Sequence, residues 1–354
     1  MPPKLGINHL MRTVRLRNTG FLIIAGLSIL IFYYAYYYNV WEYARTTPFA
    51  YFTYPLEVDM PTVVQRVLNN QSPGIDPLNN RYTFPYVLNS DKKCKDEDGN
   101  QDNVFVLLLI KSSLENFEQR HMIRRTWARE YGVASVAVRR VFLLGVYPGD
   151  KKMQHRVGLE QQDFNDIVQQ YFVDSYFNNT VKMMMGFQWA TQYCENAKFI
   201  AFFDDDYFVN INSVVKLLQM VKPTETKNLV IGYVWQNAMP FRIKNSKWYV
   251  SLAEYPYRFY PPYVTAGSFF VPMITAERIY AAMQYTKIIR FDDVFLGIVM
   301  WKLKVKLRHN SNLYFYDYPY DRFLYRKVIA AHGFKDVELL YRAWKEQIDL
   351  DKKL

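Results

Sequence analysis

The sequence predicts an α/β layered domain with a mainly parallel central sheet, preceded by one transmembrane helix. Three observations predict it: an uncharged run near the N-terminus, a later series of short apolar runs, and stretches of helical length between those runs. Strands alternating with helices build a sheet covered on both faces, and 354 residues with half of them hydrophobic suffice for its core.

The first element is Gly20 to Tyr38, GFLIIAGLSILIFYYAYYY, which carries no charge and is about long enough to cross a bilayer as one helix. Lys4, Arg12, Arg15 and Arg17 precede it without any acidic residue, so the N-terminus is read as cytosolic and everything after Tyr38 as lumenal. Tyr33, Tyr34, Tyr36, Tyr37, Tyr38 and Trp41 then fall at the far headgroup layer, where amphipathic rings are favoured. A cleaved signal peptide is the alternative, but its apolar core is usually shorter and ends in small residues. The sequons Asn70-Gln71-Ser72 and Asn178-Asn179-Thr180 suit lumenal exposure. Cys94 and Cys194 face an oxidising compartment and can pair, a point that sequence leaves open. The net charge of +11 remains basic without the tail; it fits a diphosphate-bearing ligand or a membrane surface better than nucleic acid, and basic residues are also a common solvated face.

From Val40 to about Gln101 proline, asparagine and charge interrupt any period, which reads as a stem. The expected division is a tail at 1–19, a signal-anchor at 20–38, a lumenal stem at 39–102 and one catalytic domain at 103–354. The runs VFVLLLI, VRRVFLLG, AKFIAFFDDD and LVIGYV suit strands buried on both faces, with helices expected around Phe117 to Glu130 and Val181 to Cys194. The aromatic, proline-rich KWYVSLAEYPYRFYPPYVTAGSFFV is read as a loop-bearing, ligand-binding half on the same core.

Two acidic strings carry the chemistry. Asp204, Asp205 and Asp206 end an apolar strand, where three carboxylates are costly without a cation and where open α/β sheets place their ligand crevice. Alternation puts Asp204 and Asp206 on one face and turns Asp205 away; a solvated turn is the bland reading. Asp292 and Asp293 open a helix expected to begin near Val294, so one can be its N-cap while the other serves as general base.

These strings, with RHMIRRTWARE, DFNDIVQQYFVDSYFNNTVK and YVTAGSFF, occur in an order that resembles the β1,3-glycosyltransferase family of Golgi type II membrane enzymes, from about Asn103 to Trp344. FNNT, KWYVSLAEYP, FDDVFLGIV and VIAAHGF are most similar to its invertebrate Brainiac subgroup, which extends mannosyl-glucosylceramide with β1,3-linked N-acetylglucosamine. The chain departs from many vertebrate members in its few cysteines and in TAGSFF. The resemblance implies a GT-A-type nucleotide-sugar fold, a UDP-sugar donor, a glycolipid or glycoprotein acceptor, and Mn²⁺ or Mg²⁺ held by Asp206, with Asp204 on the ribose or the outer shell of the metal and Asp205 near the donor. His332 is a candidate further ligand against a structural role. Asp293 is the expected base of an inverting displacement, with Asp292 as runner-up and a raised pKa from their mutual repulsion. Arg120 and Arg124 share a helix face; Arg124 can reach the diphosphate, or both are surface arginines with Trp127 facing the core. Lys247, Trp248 and Gly267 are expected to shape the sugar pockets.

Three rivals remain at this level: UDP-galactose or UDP-N-acetylgalactosamine as donor, a catalytically silent lectin or folding factor of the same fold, and a membrane-tethered hydrolase. The retained acids argue against the second, and nothing in the third explains a diphosphate-suited metal site.

Overall fold

The computed structural model of the chain describes residues 5–54, 57–79, 83–96, 98–100, 102–130 and 135–351. Lys4, in the expected tail, lies outside the described residues. The chain divides into two compact units, one made of residues up to Phe52 with Met239–Tyr260, the other of Thr53–Ala238 with Pro261–Leu354.

The first unit contains α1 (Leu5–Tyr37) and the short α2 (Val40–Ala44). The window Gly20–Tyr37 of α1 has a mean hydropathy of 1.8, contains no buried residue, and is long and apolar enough to cross a membrane.

The second unit is a mixed α/β fold. Its large sheet contains β1 (Tyr86–Leu88), β2 (Val106–Lys111), β3 (Val138–Val146), β4 (Ile167–Val173), β5 (Phe199–Asp204), β7 (Leu229–Trp235), β8 (Tyr263–Pro272) and β9 (Lys306–His309), in the order β1-β4-β3-β2-β5-β8-β7-β9. β4, β3, β2 and β5 run parallel; the two at the centre, β2 and β5, are near-continuous apolar runs, as suits strands covered on both faces. β8 lies antiparallel between β5 and β7, so part of the segment read as a ligand-binding half is a central strand. A small sheet of β10 (Leu313–Asp317), β11 (Ala330–His332) and β6 (Tyr207–Val209) stands beside the end of β5.

Helices fill both faces. α4 (Phe117–Arg125), α7 (Ile211–Gln219) and α10 (Val337–Asp351) pack on one face around Val106, Leu108, Ile110, Trp127, Phe203 and Phe270. α6 (Asn179–Tyr193) and α8 (Met273–Met283) cover the other; α6 is buried almost all round, which its weak amphipathicity allows. α5 (Lys151–Phe164) joins β3 to β4, and α9 (Asp292–Lys302) packs on β8. Cys94 and Cys194 form a disulfide. Of the segment read as a stem, α3 (Met60–Leu68) buries Met60, Val63 and Val64 against α8, and β1 pairs with β4.

Candidate active site

The site grows from the carboxyl ends of two neighbouring strands. β2 and β5 are parallel and in register, so Lys111, which closes β2, stands opposite Asp204, which closes β5. Lys111 Nζ lies 3.0 Å from Asp204 Oδ1 and 2.6 Å from Asp292 Oδ2, at the start of α9. Burial opposes the charge of this lysine, but Asp204 and Asp292 outweigh that effect and hold its pKa above the usual value. Burial likewise pushes the Asp204 carboxyl up to about 6, against the pull of Lys111.

Asp205 and Asp206 form the turn between β5 and β6. Asp205 faces away from the crevice: its Oδ2 accepts from Ser112 Oγ at 2.5 Å and from Asn116 Nδ2 at 2.9 Å, and it is buried. The expectation that it also touches the donor is therefore corrected; both bonds anchor the turn to the loop after β2.

Asp206 meets His332. β11 pairs antiparallel with β6, with His332 opposite Tyr207, and Gly333 then turns at φ 103°, a conformation that excludes most side chains. This turn lets the Gly333 and Phe334 amides both donate to the Asp206 carbonyl, at 3.1 and 2.8 Å. His332 Nε2 comes to rest 3.2 Å from Asp206 Oδ2, and its Nδ1 is 2.7 Å from Asp317 Oδ1. The hydrogen bond to Asp206, with Asp317 adding to it against partial burial, raises the imidazole pKa to about 9.

That pair fits a divalent ion. A carboxylate oxygen and an imidazole nitrogen are donor types that a divalent ion takes, and the two lie side by side here. A ring nitrogen fixed by a carboxylate is also the usual support of a metal-binding histidine, whose proton leaves as the ion binds. Among the described residues no cluster of three or more His, Cys, Asp or Glu side chains could hold an ion unaided. Such a half-built shell suits Mg²⁺ or Mn²⁺ that takes its other ligands from phosphates and water.

Asp292 and Asp293 are the first two residues of α9, which begins two residues earlier than its sequence suggests; Phe291 holds the N-cap position and makes no side-chain cap. Carboxylates in a first helical turn are favoured by the helix dipole. Asp292 is bound by Lys111, while Asp293 Oδ1 accepts from the Val294 amide at 2.7 Å. Burial first, and Asp292 second, raise the Asp293 carboxyl to about 7.

Gly267, on β8, makes room for a protein group and not a sugar: a Cβ there would collide with the Tyr207 hydroxyl. Tyr207 is itself buried, and burial with the nearby Asp204, Asp206 and Asp292 keeps its phenol protonated. Arg120 and Arg124 also lie elsewhere than expected. Both are buried, Arg120 paired with Glu160 at 2.7 Å and Arg124 with Glu160 and Asp166 at 2.7 Å each, so neither reaches a diphosphate in the crevice nor sits at the surface. Trp127 is fully buried against Phe203. Lys247 and Trp248 belong to the other unit. Lys111, Tyr207 and Asp317 were missed by sequence reasoning; the lysine ending the run VLLLIK was the one available signal.

Comparison with known proteins agrees with this chemistry. Residues 118–311 match the family model described as galactosyltransferase. The chain is 42% identical over 241 residues to the β1,3-galactosyltransferase brn of Drosophila melanogaster, covering 68% of this chain and 73% of that protein. It is 33% identical over 276 residues to the human lactosylceramide 1,3-N-acetyl-β-D-glucosaminyltransferase, covering 75% and 70%. Among solved structures, the galactosyltransferase LgtC with donor and acceptor sugar analogues aligns with 70% of this chain and 100% of its own, at 11% identity and a TM-score of 0.39, a likeness that adds nothing to what the sheet itself shows.

Proposed function

We infer the reaction from one premise: the chain belongs to the galactosyltransferase family, and is a β1,3-glycosyltransferase. We propose that it moves N-acetylglucosamine from its UDP-sugar to a glycolipid of the mannosyl-glucosylceramide type, with inversion, on the lumenal side of the Golgi membrane, anchored by α1 as a type II protein.

The observation that carries the mechanism is the division of labour between the two acidic strings. Asp292 is neutralised by Lys111, so Asp293, with its raised pKa and free of any cation at hydrogen-bond distance among the described residues, is the better base. Its carboxylate takes the proton of the acceptor hydroxyl as the oxygen attacks the anomeric carbon opposite UDP, which turns an α-linked donor into a β-linked product. Asp206 and His332 would hold the divalent ion, and when bound that ion supplies Lewis-acid stabilisation of the diphosphate that departs. Lys111 bridges Asp204 and Asp292 and fixes both, and the buried Tyr207 packs its hydroxyl against Gly267.

The N-acetylglucosamine reading is supported by the Brainiac-like strings and by the name of the human relative. A second reading, galactose, is favoured by the name of the Drosophila relative. Transfer from UDP-N-acetylglucosamine, UDP-galactose and UDP-N-acetylgalactosamine to β-mannosyl and β-galactosyl acceptors tests both. Transfer of N-acetylglucosamine to a β-mannoside supports the first; transfer of galactose alone replaces it with the second.

A further inference from the structure

Between β7 and β8 the chain runs through residues 239–260, which form one unit with the residues around and after α1. The fastening is polar. Arg242 is fully buried, and its Nη1 donates to the Val250 carbonyl at 2.7 Å while Nη2 donates to the Tyr255 and Tyr257 carbonyls at 2.7 and 3.2 Å, which shapes the loop around one guanidinium. The backbone of the same residue binds the segment that leaves α1: Asn39 Nδ2 donates to the Arg242 carbonyl at 2.9 Å, and the Arg242 amide donates to the Tyr43 hydroxyl at 3.2 Å. Further on, Thr47 forms a parallel bridge with Tyr257, its amide donating to the Pro256 carbonyl and its carbonyl accepting from the Arg258 amide, both at 2.9 Å.

Asn39 is two residues beyond the apolar window, which ends at Tyr37. Two residues span at most about 7 Å, and each headgroup layer is roughly 5–7 Å thick. A loop hydrogen-bonded to Asn39 therefore lies in or against the headgroup layer of the bilayer that α1 crosses. Its surface suits that place. Phe241 and Trp248 are half exposed, with ring centroids 5.8 Å apart, and Met239 is exposed beside them in sequence. The exposed charged residues of 39–52 and 239–260 are Arg45, Lys244, Lys247 and Arg258, all basic. Large aromatic rings favour the membrane interface, and long basic side chains extend from apolar surface to phosphate.

We propose that the 239–260 loop is a membrane-docking element: Phe241 and Trp248 enter the headgroup layer of the bilayer spanned by α1, and Lys244 and Lys247 lie on phospholipid phosphates. The assignment rests on α1 being the anchor and is independent of donor and acceptor. It removes Lys247 and Trp248 from the sugar pocket expected of them.

The two native cysteines are paired, so an introduced cysteine is the single reactive thiol. Full-length protein carrying Phe241→Cys or Trp248→Cys, labelled with an environment-sensitive fluorophore, is reconstituted into phosphatidylcholine vesicles containing doxyl-phosphatidylcholine, with Trp41→Cys as the reference beside the helix. Docking predicts blue-shifted emission, a loss to the doxyl lipid as large as at position 41, shielding from aqueous iodide, and no change on adding UDP-sugars with Mn²⁺. Loss to iodide and none to the doxyl lipid overturns the proposal, as does an emission change at position 248 on adding a UDP-sugar. Neither readout requires turnover, so an inactive preparation speaks against the proposed reaction and leaves this test intact.

Discussion

Replacing Asp293 by asparagine separates catalysis from folding. The carboxyl is raised from 3.8 to about 7, chiefly by burial and then by Asp292, and asparagine keeps an oxygen for the Val294 amide. As general base the group works only when ionised, so it is about half active at pH 7 and about one-tenth active at pH 6. The wild-type kcat/KM is thus expected to fall as pH drops through about 7, and Asp293→Asn to lower it by about 10²–10⁴-fold with that limb removed. The stability effect has the opposite sign. A carboxyl whose folded pKa is raised binds its proton more tightly folded than unfolded, so stability declines as pH rises from about 4 to about 7. The full shift corresponds to roughly 4 kcal/mol, and solvent contact at this half-buried group reduces the realised part to about 1–2 kcal/mol. Asp293→Asn should therefore melt higher than wild type at pH 8 and equally at pH 4. The assays are radiolabelled sugar transfer over pH 5–9 and thermal unfolding at both pH values. Transfer within tenfold of wild type, or an acid limb that persists in the variant, would refute the assignment of the base.

Lys111→Met leaves Asp204 and Asp292 without their shared cation, and about 3–5 kcal/mol of stability should be lost at pH 8 in urea unfolding, with a smaller loss at pH 5 where Asp204 becomes protonated. Chelation should abolish transfer and added Mn²⁺ restore it; Asp317→Asn, which frees His332 Nδ1, should raise the Mn²⁺ concentration needed for half-maximal rate by about tenfold. Asn70 is exposed, whereas Asn178 Nδ2 is committed to the Val173 carbonyl at 2.7 Å and the Thr180 hydroxyl is buried on the Ile289 carbonyl. One N-glycan is thus expected, lost in Asn70→Gln on a glycosidase-shift gel and kept in Asn178→Gln.

What the sequence made legible was what local pattern encodes. Continuous apolar runs gave β2, β3, β5 and β7, and the acidic strings stood out because unbalanced carboxylates beside apolar strands are costly. β8 was obscured because its sequence, YVTAGSFFVP, lies among tyrosines and prolines whose composition resembles a loop, and only its pairing with β5 and β7 makes it central. Lys111 was hidden for a related reason: a lysine at the end of a strand reads as a solvated terminus until strand order sets it beside Asp204. The fastening of the 239–260 loop to the segment after α1 depends on Asn39 meeting Arg242, 203 positions away, and no window of sequence contains both.

The two arginines show how spacing can be read correctly and its purpose misread. Their four-residue separation does put them on one face of α4, but that face turns inward, where Glu160 of α5 accepts from both. A guanidinium has five N–H donors. Arg120 commits Nε to Glu160, Nη1 to Ser112 Oγ and the Ser113 carbonyl, and Nη2 to the Leu114 carbonyl and Glu160, so no donor remains for a phosphate. Those bonds hold the loop from Ser112 to Leu114, Ser112 Oγ donates a hydrogen bond to Asp205, and Asp205 anchors the turn that presents Asp204 on one side and Asp206 on the other. Arg120 is therefore a positioning residue that acts two hydrogen bonds away from the crevice, and the middle acid of the triplet is the point at which the buried ion-pair network meets the metal-suited pair.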